Sequence, residues 1–80
     1  MPTAAEDLVA AVRLLVDDPK AVTAEAVEIE GGTELRLRVA ESDRGKVIGR
    51  HGRAIDALRA LADVRGGRDG CRYELELDED

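Results

Sequence analysis

Apolar residues recur with a helical period in the first part of the chain. Residues 3–6 have the Thr-x-x-Glu form of a capping box, in which two side chains satisfy free helix amides. The apolar positions that follow form one helical stripe, consisting of Leu8, Val9, Val12, Leu15 and Val16. Because the residue before a proline avoids the helical conformation, the Asp17-Asp18-Pro19 sequence ends this element. We predict a helix over residues 4–17.

The period of the apolar residues changes to two in the next segment. Residues 25–30 and 34–39 alternate between apolar and polar types around Gly31-Gly32, which indicates a hairpin. A two-residue loop at these glycines would place Ile29 opposite Glu34, whereas a three-residue loop keeps apolar residues on one face. Since a shift of one residue moves every side chain to the other face, we predict an odd loop with a glycine bulge. The predicted neighbours are Ile29 with Leu35, Val27 with Leu37, and Glu28 and Glu30 near Arg36 and Arg38.

The remaining segments predict two helices and a third strand. Ser42 is a candidate N-cap for a helix over about residues 43–48, and a second helix follows over roughly residues 52–64. Residues 65–70 are basic and rich in glycine and predict a loop, and residues 71–77 alternate as a strand. The inner stripe of the second helix consists of Ile55, Leu58, Leu61 and Ala62.

The order of the elements, α-β-β-α-α-β, restricts the topology. The second and third strands are joined through helices, so they should run parallel in one sheet. With only three strands, all of which alternate, the helices must cover a single face. We therefore predict an α+β fold in which a three-stranded mixed sheet carries helices on one face, as a single domain over residues 1–80.

The residues that catalysis and metal binding need are scarce. One histidine, His51, and one cysteine, Cys71, exclude a four-ligand zinc site and an intramolecular disulfide. Cys71 falls on the inward face of the third strand, where a small buried hydrophobe is favoured over a reactive thiol. Ser42 is the only serine, and no Ser/His/Asp pattern surrounds it. We predict no catalytic residue, no metal and no cofactor.

Composition excludes further classes of protein. With Tyr73 as its one aromatic residue, the chain lacks the rings on which many RNA-binding sheets stack bases. No apolar run reaches the ~20 residues of a membrane span. The acidic start also lacks the features of a signal peptide. A cytoplasmic protein that does not contact the membrane is expected. The net charge of −6, taken over the whole chain, argues against a polyanion as ligand.

Positive charge and glycine coincide in one segment. Residues 44–68 contain seven basic and two acidic side chains, so this segment carries +5 and the remainder −11. Its glycine spacing, G-x-x-x-G-x-x-G, matches neither the Walker A loop nor the dinucleotide fingerprint. By themselves such glycines are typical of a helix C-cap and a turn. Beside basic residues they indicate a turn before a helix N-terminus, which attracts phosphate. The glycines are Gly45, Gly49 and Gly52, and their basic neighbours are Lys46, Arg50 and Arg53.

The nine residues Val47–Ile55 resemble the V-I-G-x-x-G-x-x-I signature of KH domains. The order of elements resembles the type II, prokaryotic arrangement of this domain. The likeness extends over nearly the whole chain, from a capped first helix that ends in Asp-Asp-Pro to Gly45–Gly49. The chain is similar to the small stand-alone bacterial KH proteins of the KhpA (YlqC-like) family. The resemblance implies a type II KH domain.

A KH domain implies a cleft for about four nucleotides of single-stranded RNA. Ile55 is expected to be buried beneath this groove. His51 is either a tolerated exposed residue or a phosphate donor, in a loop where many relatives carry Lys or Gln. Residues 65–70 form either the opposite rim or a flexible connection. By position in the motif, the implied RNA-binding residues are Gly49, Arg50, His51 and Gly52 at the phosphates, Lys46 and Arg53 beside them, and Val47, Ile48 and Ile55 in the aliphatic floor and adjoining core.

The resemblance also implies partners. These are a second copy in a homodimer and a second KH protein of the KhpB (Jag) type. In relatives this pair is linked to RNA chaperone-like regulation of gene expression, cell elongation and cell-wall homeostasis. The alternative hypothesis is a protein–protein interaction module with little RNA binding, which uses the acidic surface and the first helix. Single-stranded DNA in the same cleft is a third hypothesis.

Overall fold

The structure, a computed structural model, describes residues 2–78. The α-β-β-α-α-β order and the α+β class predicted from the sequence are confirmed. The predicted domain over residues 1–80 includes Met1, Glu79 and Asp80, which lie outside the described residues. The helices and strands are α1 (Ala4–Arg13), β1 (Thr23–Ile29), β2 (Gly32–Arg38), α2 (Arg44–Ile48), α3 (Arg53–Asp69) and β3 (Tyr73–Leu77). Short 3₁₀ turns lie at Pro19–Ala21, Glu41–Asp43 and Arg50–Gly52.

Helix α1 begins at Ala4, as predicted, but ends at Arg13, four residues before the predicted end. The Thr3 hydroxyl accepts a hydrogen bond from the Glu6 amide, and the Glu6 carboxylate accepts one from the Thr3 amide, both at 3.1 Å. These bonds complete the predicted capping box. The predicted extent over residues 4–17 is wrong at its C-terminal end. There the amides of Leu14 and Leu15 bond three residues back, which tightens the last turn and ends the helix.

The hairpin pairs in a register that differs from the predicted one. A two-residue loop, Glu30-Gly31, joins β1 to β2, and Ile29 pairs with Gly32, so the predicted three-residue loop with a bulge is wrong. The physical reason is Gly31, whose φ of +83° supplies the left-handed conformation that two-residue hairpin loops require. In the observed register Ala26 pairs with Leu35, Ala24 with Leu37 and Val27 with Glu34, and Glu25 rather than Glu28 or Glu30 lies opposite Arg36.

The sheet has β2 at its centre, antiparallel to β1 and parallel to β3. Leu35 pairs with Leu75 and Leu37 with Leu77, so the apolar residues of β2 and β3 share one face. The helices cover this face, which confirms the predicted mixed sheet. The buried hydrophobic core consists of Ala4, Leu8, Val12, Val22, Leu35, Leu37, Val39, Val47, Ile55, Leu58 and Leu75.

Helix α3 extends to Asp69 and so passes the predicted end at residue 64. The predicted loop over residues 65–70 is therefore wrong for residues 65–69. Its glycines do not break the helix. Gly66 is buried where a Cβ would lie 2.5 Å from the Cys71 carbonyl oxygen. Gly70, with φ +73°, ends the helix in the left-handed conformation typical of a C-cap.

One member of the predicted inner stripe of α3 lies outside the core. Ile55, Leu58 and Ala62 are buried as predicted, whereas Leu61 is 60% exposed. Gly66 takes the next buried position of the stripe, because close packing against the chain before β3 leaves no space there for a side chain. Within residues 2–78, no helix combines the length and the apolar character needed to cross a membrane.

Cys71 lies before β3 rather than in it. The strand begins at Tyr73, and Cys71 is exposed, so the predicted burial of its side chain is wrong. The Cys71 amide donates a hydrogen bond to the Gly66 carbonyl at 3.0 Å. This backbone contact is possible because Gly66 has no side chain. It holds the backbone of Cys71 against α3 and leaves the Cys71 thiol exposed.

Candidate functional site

A buried carboxylate attaches the short helix α2 to the rest of the fold. Asp43 is 1% exposed, and its two carboxylate oxygens accept hydrogen bonds from the amides of Asp17 (3.2 Å) and Asp18 (3.0 Å). The predicted capping by Ser42 is wrong, because Asp43 occupies the N-cap position of α2, which has no side-chain cap. Charge-assisted bonds to Asp43 therefore hold the segment after α1 against the start of α2.

The loop between α2 and α3 contains three residues with positive φ. Gly49, His51 and Gly52 have φ values of +78°, +56° and +73°. Gly49 combines this φ with a ψ of 170°, a region that is essentially restricted to glycine. A Cβ on Gly49 would also lie 2.6 Å from the Cβ of Ala54. His51 adopts the left-handed conformation, which histidine tolerates better than most residues do. The turn therefore needs glycine at Gly49 and lies close against α3.

The loop leads directly into the N-terminus of α3. Gly52 is the N-cap residue of this 17-residue helix, and no side-chain hydrogen bond caps it. The first amides of a helix lack partners within the helix, and the helix dipole makes this end positive. The amide of Arg53 donates to the Arg50 carbonyl of the preceding 3₁₀ turn, so an anion would meet the amides that follow it. A glycine at the N-cap leaves space for an anion beside these amides. The backbone geometry at Gly52 therefore suits a phosphate.

Three exposed side chains with basic character surround this turn, namely Arg50, His51 and Arg53. Among residues 2–78, none of the three forms an ion pair with a carboxylate. The guanidinium group presents its donors in a planar fork that matches phosphate oxygens. The loop and the α3 N-terminus together therefore form a basic surface with available donors.

Lys46, one turn before the loop, is already paired. Its Nζ lies 2.5 Å from Asp17 Oδ2 and 3.8 Å from Asp43 Oδ1. The hydrogen bond with Asp17 raises the pKa of the Lys46 ammonium above its ordinary value, and the charge of Asp43 adds to this effect. Lys46 is therefore close to the turn, but carboxylates neutralise its charge.

The three apolar residues assigned to the groove differ in exposure. Val47 is fully buried and Ile55 is 7% exposed, so the expected burial of Ile55 is confirmed and both belong to the core. Ile48 is 38% exposed. Of the three, Ile48 therefore supplies apolar surface beside the loop, while Val47 and Ile55 support α2 and α3 from beneath.

A shallow cleft lies between α3 and the edge of β3 that faces away from β2. Arg59 and Asp63 line it from α3, and residues 73–76, which include two glutamates, line it from β3. Arg59 follows Arg53 by about 9 Å along the helix axis, given a rise of ~1.5 Å per residue. The surface therefore carries basic side chains near the loop and acidic side chains toward β3.

At the other end of α3 a basic side chain ties the helix to its neighbours. The Arg65 guanidinium donates hydrogen bonds to the Asp69 carboxylate at 2.9 Å and the Pro2 carbonyl at 2.8 Å, and it pairs with Asp7. The Tyr73 hydroxyl donates to the same Asp69 carboxylate at 2.7 Å. The hydrogen bond from Tyr73, followed by that from Arg65, lowers the pKa of Asp69. This end of α3 is therefore bound to α1 and β3.

Metal coordination has no site in the part of the chain that the structure describes, since no group of three His, Cys, Asp or Glu side chains could hold an ion there. The chemistry that the described residues do offer is anion binding. Helix amides, a glycine turn and the side chains of Arg50, His51 and Arg53 converge on one surface.

Sequence reasoning missed the position of Arg59 in the cleft and the pairing of Lys46. The three-residue spacing between Asp43 and Lys46 was a visible signal, because side chains three apart share a helix face. The contact between Asp17 and Lys46 spans 29 residues and left no local signal. Arg59 lay within the basic segment, but its position in a cleft depends on where β3 packs.

Comparison with known proteins agrees with this geometry. The sequence model of the family described as "KhpA/KhpB, KH domain" matches residues 5–77. Several relatives carry the name RNA-binding protein KhpA, and three of them illustrate the match. The protein of Treponema pallidum is 46% identical over 78 residues, which are 96% of this chain and 98% of its own. The Streptomyces coelicolor protein is 42% identical over 64 residues, 80% of each chain. The Chlamydia trachomatis protein is 38% identical over 69 residues, 86% of this chain and 88% of its own.

The match to the family model covers the motif, the helices around it and all three strands. The resemblance predicted from Val47–Ile55 and from the order of elements is confirmed, and the chain belongs to the KhpA/KhpB family of KH-domain proteins.

Proposed function

We propose that this chain binds single-stranded RNA at the turn formed by residues 49–52. The observation that carries the proposal is the arrangement at this turn: a helix N-terminus without a side-chain cap, open space at the Cβ position of Gly52, and basic side chains without carboxylate partners among residues 2–78. Relatives named RNA-binding protein KhpA, at 38–46% identity, support the same function.

Phosphates of the RNA backbone bind at the turn in this proposal. Gly52 leaves space for the RNA backbone, and Gly49 gives the turn its shape through its positive φ. Arg50 and His51 donate hydrogen bonds, and Arg53 contributes a further charge. The bases then lie over exposed Ile48 and extend toward the cleft between α3 and β3. Val47 and Ile55 support this floor from the core. Because few rings are available for stacking and the contacts are mainly to phosphate, sequence selectivity is low.

The acidic remainder of the chain has a role in this proposal. It carries −11 outside residues 44–68, and repulsion by this charge limits RNA to the one basic surface. Two glutamates in the strand segment 73–76 and Asp63 on α3 make the far side of the cleft unfavourable for phosphate. The backbone of the RNA is therefore expected to follow the loop and the first half of α3.

The test is a charge reversal at the turn with a matched reversal elsewhere on the same helix. Arg50→Asp combined with His51→Asp changes the net charge by the same amount as Gly67→Asp combined with Arg68→Asp. Both control positions are exposed, and a Cβ on Gly67 meets no atom within 4 Å. Loss of two charge-assisted bonds, each worth about 1.5–3 kcal/mol, predicts that the turn variant binds short single-stranded RNA about 100-fold more weakly or worse. The control variant is expected to stay within about five-fold of the parent.

Fluorescence anisotropy at several salt concentrations measures both variants, and circular dichroism checks that they fold. Affinity of the parent should fall steeply as salt increases, because phosphate contacts release counterions. Equal losses in the two double variants, or none in the turn variant, would contradict binding at residues 49–52. Competition between RNA and DNA oligonucleotides of matched sequence separates RNA binding from the DNA hypothesis, since only RNA offers 2′-hydroxyls.

We also propose that a second KH chain docks on the helical side of this one. Leu61 and Val64 on α3 are 60% and 72% exposed, and Leu14 after α1 is 87% exposed. Leu61 and Val64 also line a groove between α1 and α3, whose apolar lining includes Leu8, Ala11, Leu58, Leu61, Ala62 and Val64. Exposed apolar surface of this kind is typical of interfaces. It supports a homodimer and a complex with a KhpB-type KH protein.

Leu61→Asp tests this surface, with Ala60→Asp as a neighbouring exposed position that does not line the groove. In sedimentation analysis the parent and Ala60→Asp should form dimers, and Leu61→Asp should remain monomeric because a charge would be buried in the interface. The same three proteins are then mixed with a purified KhpB-type partner. A parent that is monomeric alone and does not bind the partner would contradict the proposal. A parent that dimerises but does not bind RNA would favour the interaction-module hypothesis.

The cellular part of the proposal rests on the family resemblance. We propose an RNA chaperone-like, post-transcriptional regulator in the cytoplasm that acts with a KhpB-type partner in cell elongation and cell-wall homeostasis. Crosslinking in cells followed by sequencing of the bound RNA tests it, with the Arg50/His51 variant as the control. Recovery of the same RNAs with parent and variant would contradict regulation through this turn.

A further inference from the structure

Lys46 occupies a position beside the proposed phosphate path, but its charge is engaged within the protein. Its Nζ contacts the carboxylate of Asp17 at 2.5 Å and lies 3.8 Å from the carboxylate of buried Asp43. Both members of the Lys46–Asp17 pair are accessible to solvent, with side-chain exposures of 47% and 80%. An RNA phosphate that reaches Lys46 must therefore compete with a carboxylate that is already in place.

The position of Asp17 is built into the fold. Its backbone amide donates to one carboxylate oxygen of Asp43, and the amide of Asp18 donates to the other. Asp43 is 1% exposed and stands directly before α2, the helix that carries Lys46. The buried carboxylate thus holds the Asp17 backbone beside α2, and the Asp17 side chain meets Lys46 without the entropy cost of ordering a loop.

We propose that Asp17 is an intramolecular competitor of RNA phosphate for Lys46 and thereby lowers the affinity of the site for RNA. The inference rests on the proposed RNA binding at residues 49–52. In the parent protein, Lys46 releases no counterion when RNA binds, because its charge is balanced by Asp17. Removal of the Asp17 charge leaves the Asp43 carboxylate 3.8 Å from Nζ, but both of its oxygens already accept hydrogen bonds from backbone amides. Lys46 then becomes available as a further phosphate contact.

The expected gain in RNA affinity is small because the Lys46–Asp17 ion pair is exposed to solvent. Exposed ion pairs contribute about 0.2–1 kcal/mol, which corresponds to an affinity change of up to about five-fold. Each additional phosphate contact on a single strand makes the slope of log affinity against log salt more negative by about 0.7. Asp17→Asn is therefore expected to bind RNA about two- to five-fold more tightly at low salt, with a steeper salt dependence.

Asp18→Asn is the matched control. It removes the same charge from the adjacent residue, whose amide also donates to Asp43. Among residues 2–78, the Asp18 carboxylate pairs with no cation, so its removal changes only the general electrostatic field. Lys46→Gln provides the second control, because the gain from Asp17→Asn must disappear when Lys46 carries no charge.

The experiment measures binding of one fluorescein-labelled, single-stranded RNA oligonucleotide by anisotropy between about 50 and 200 mM salt. It compares the parent, Asp17→Asn, Asp18→Asn, Lys46→Gln, the Asp17→Asn/Lys46→Gln double variant and the Arg50→Asp/His51→Asp variant. The proposal requires that Asp17→Asn tightens binding more than Asp18→Asn, that its salt slope steepens, and that Lys46→Gln abolishes the gain. Thermal unfolding of each protein confirms that the fold is intact.

The outcomes separate this inference from the proposed function. If Arg50→Asp/His51→Asp weakens binding but Asp17→Asn equals Asp18→Asn, competition by Asp17 is wrong and RNA binding at the turn stands. A gain from Asp17→Asn that persists in the Lys46→Gln background also overturns the inference. If the turn variant binds as well as the parent, the proposed function fails and this inference fails with it.

Discussion

The two ends of α3 carry basic residues in similar density but differ in how many of them are paired, since Arg68 is the one basic residue of residues 65–72 that forms no ion pair within residues 2–78. At the N-terminal end, Arg50, His51 and Arg53 form no ion pair with a carboxylate among residues 2–78. At the C-terminal end, Arg65 binds two carboxylates and a backbone carbonyl at once, and Arg72, after the helix, pairs with Glu74. The basic residues at the N-terminal end are available to an external anion, whereas Arg65 and Arg72 hold parts of the fold together.

This difference shows why the charge of a segment is a poor guide to binding. The +5 of residues 44–68 was the signal for a polyanion site, yet Arg65 and Lys46 contribute to that count while their charges are balanced internally. A guanidinium that already has carboxylate partners gains little from a phosphate, because it must give up equivalent hydrogen bonds first. In the proposed function, the charge available to RNA is therefore local to the turn.

The backbones at the two ends also differ. Gly49 combines positive φ with a Cβ position that is blocked by Ala54 at 2.6 Å. Gly67, near the other end, is helical and exposed, with no atom within 4 Å of its Cβ position. Glycine is thus required by geometry at the turn and is dispensable near the C-terminus of α3.

The largest expected effect comes from alanine at these two glycines. Gly49→Ala should lower the free energy of unfolding by about 3 kcal/mol, because strain at this φ and ψ adds to the clash with Ala54. Gly67→Ala should raise it by about 0.5–1 kcal/mol through better helix propensity. Chemical denaturation followed by circular dichroism measures both. If both variants changed the free energy of unfolding by a similar amount and with the same sign, glycine would not be required at Gly49 more than at Gly67.

A smaller effect is expected from neutralising one arginine at each end. Arg53→Gln removes a charge beside the turn and should weaken RNA binding about two- to five-fold, with a salt slope reduced by about 0.7. Arg68→Gln removes an exposed charge from the last turn of α3. It should leave the RNA affinity and its salt slope nearly unchanged. Anisotropy titrations at two salt concentrations test the pair. A larger loss for Arg68→Gln would move the RNA path to the other end of the helix.

The smallest expected effect concerns the ionisation of the Tyr73 hydroxyl, which is hydrogen-bonded to Asp69 at the C-terminal end of α3. Hydrogen bonding to Cys71, and next to Asp69, raises the pKa of Tyr73 above its ordinary value of 10.0. The folded state thus favours the neutral phenol. This contribution to stability is complete below about pH 10 and is lost as pH rises through the raised pKa. Because Tyr73 is the one aromatic residue, tyrosinate absorbance reports on it alone.

The parent should therefore titrate above pH 10 while circular dichroism shows it folded, and Asp69→Asn should shift the midpoint back toward 10.0. RNA affinity at neutral pH should not change, because this network lies away from the turn. An ordinary midpoint in the folded parent would contradict the hydrogen bonding at this end of α3.

Features that depend on residues close together in the sequence were predictable. The Thr3–Glu6 capping box follows from two side chains and two amides within one turn, and it forms as predicted. The turn glycines and the buried Ile55 followed from the motif. The C-terminal part of α3 was not predictable from its glycines, because the packing of residue 71 against Gly66 favours a helix there. Leu61 fits the periodicity of a core residue, yet it lies 60% exposed at the groove between α1 and α3.

The sequence by itself determined the order of the elements, the single-face packing of the sheet, the family and the glycine turn before α3. Periodicity, capping and glycine spacing act over a few residues, so they can be identified along the chain. Only the tertiary structure decided the register of the hairpin and which of the basic residues have partners. Ion pairs such as Lys46 with Asp17 join residues that are 29 positions apart, and packing rather than sequence distance brings them together. The number of charges is a property of the chain, whereas their availability to RNA is a property of the fold.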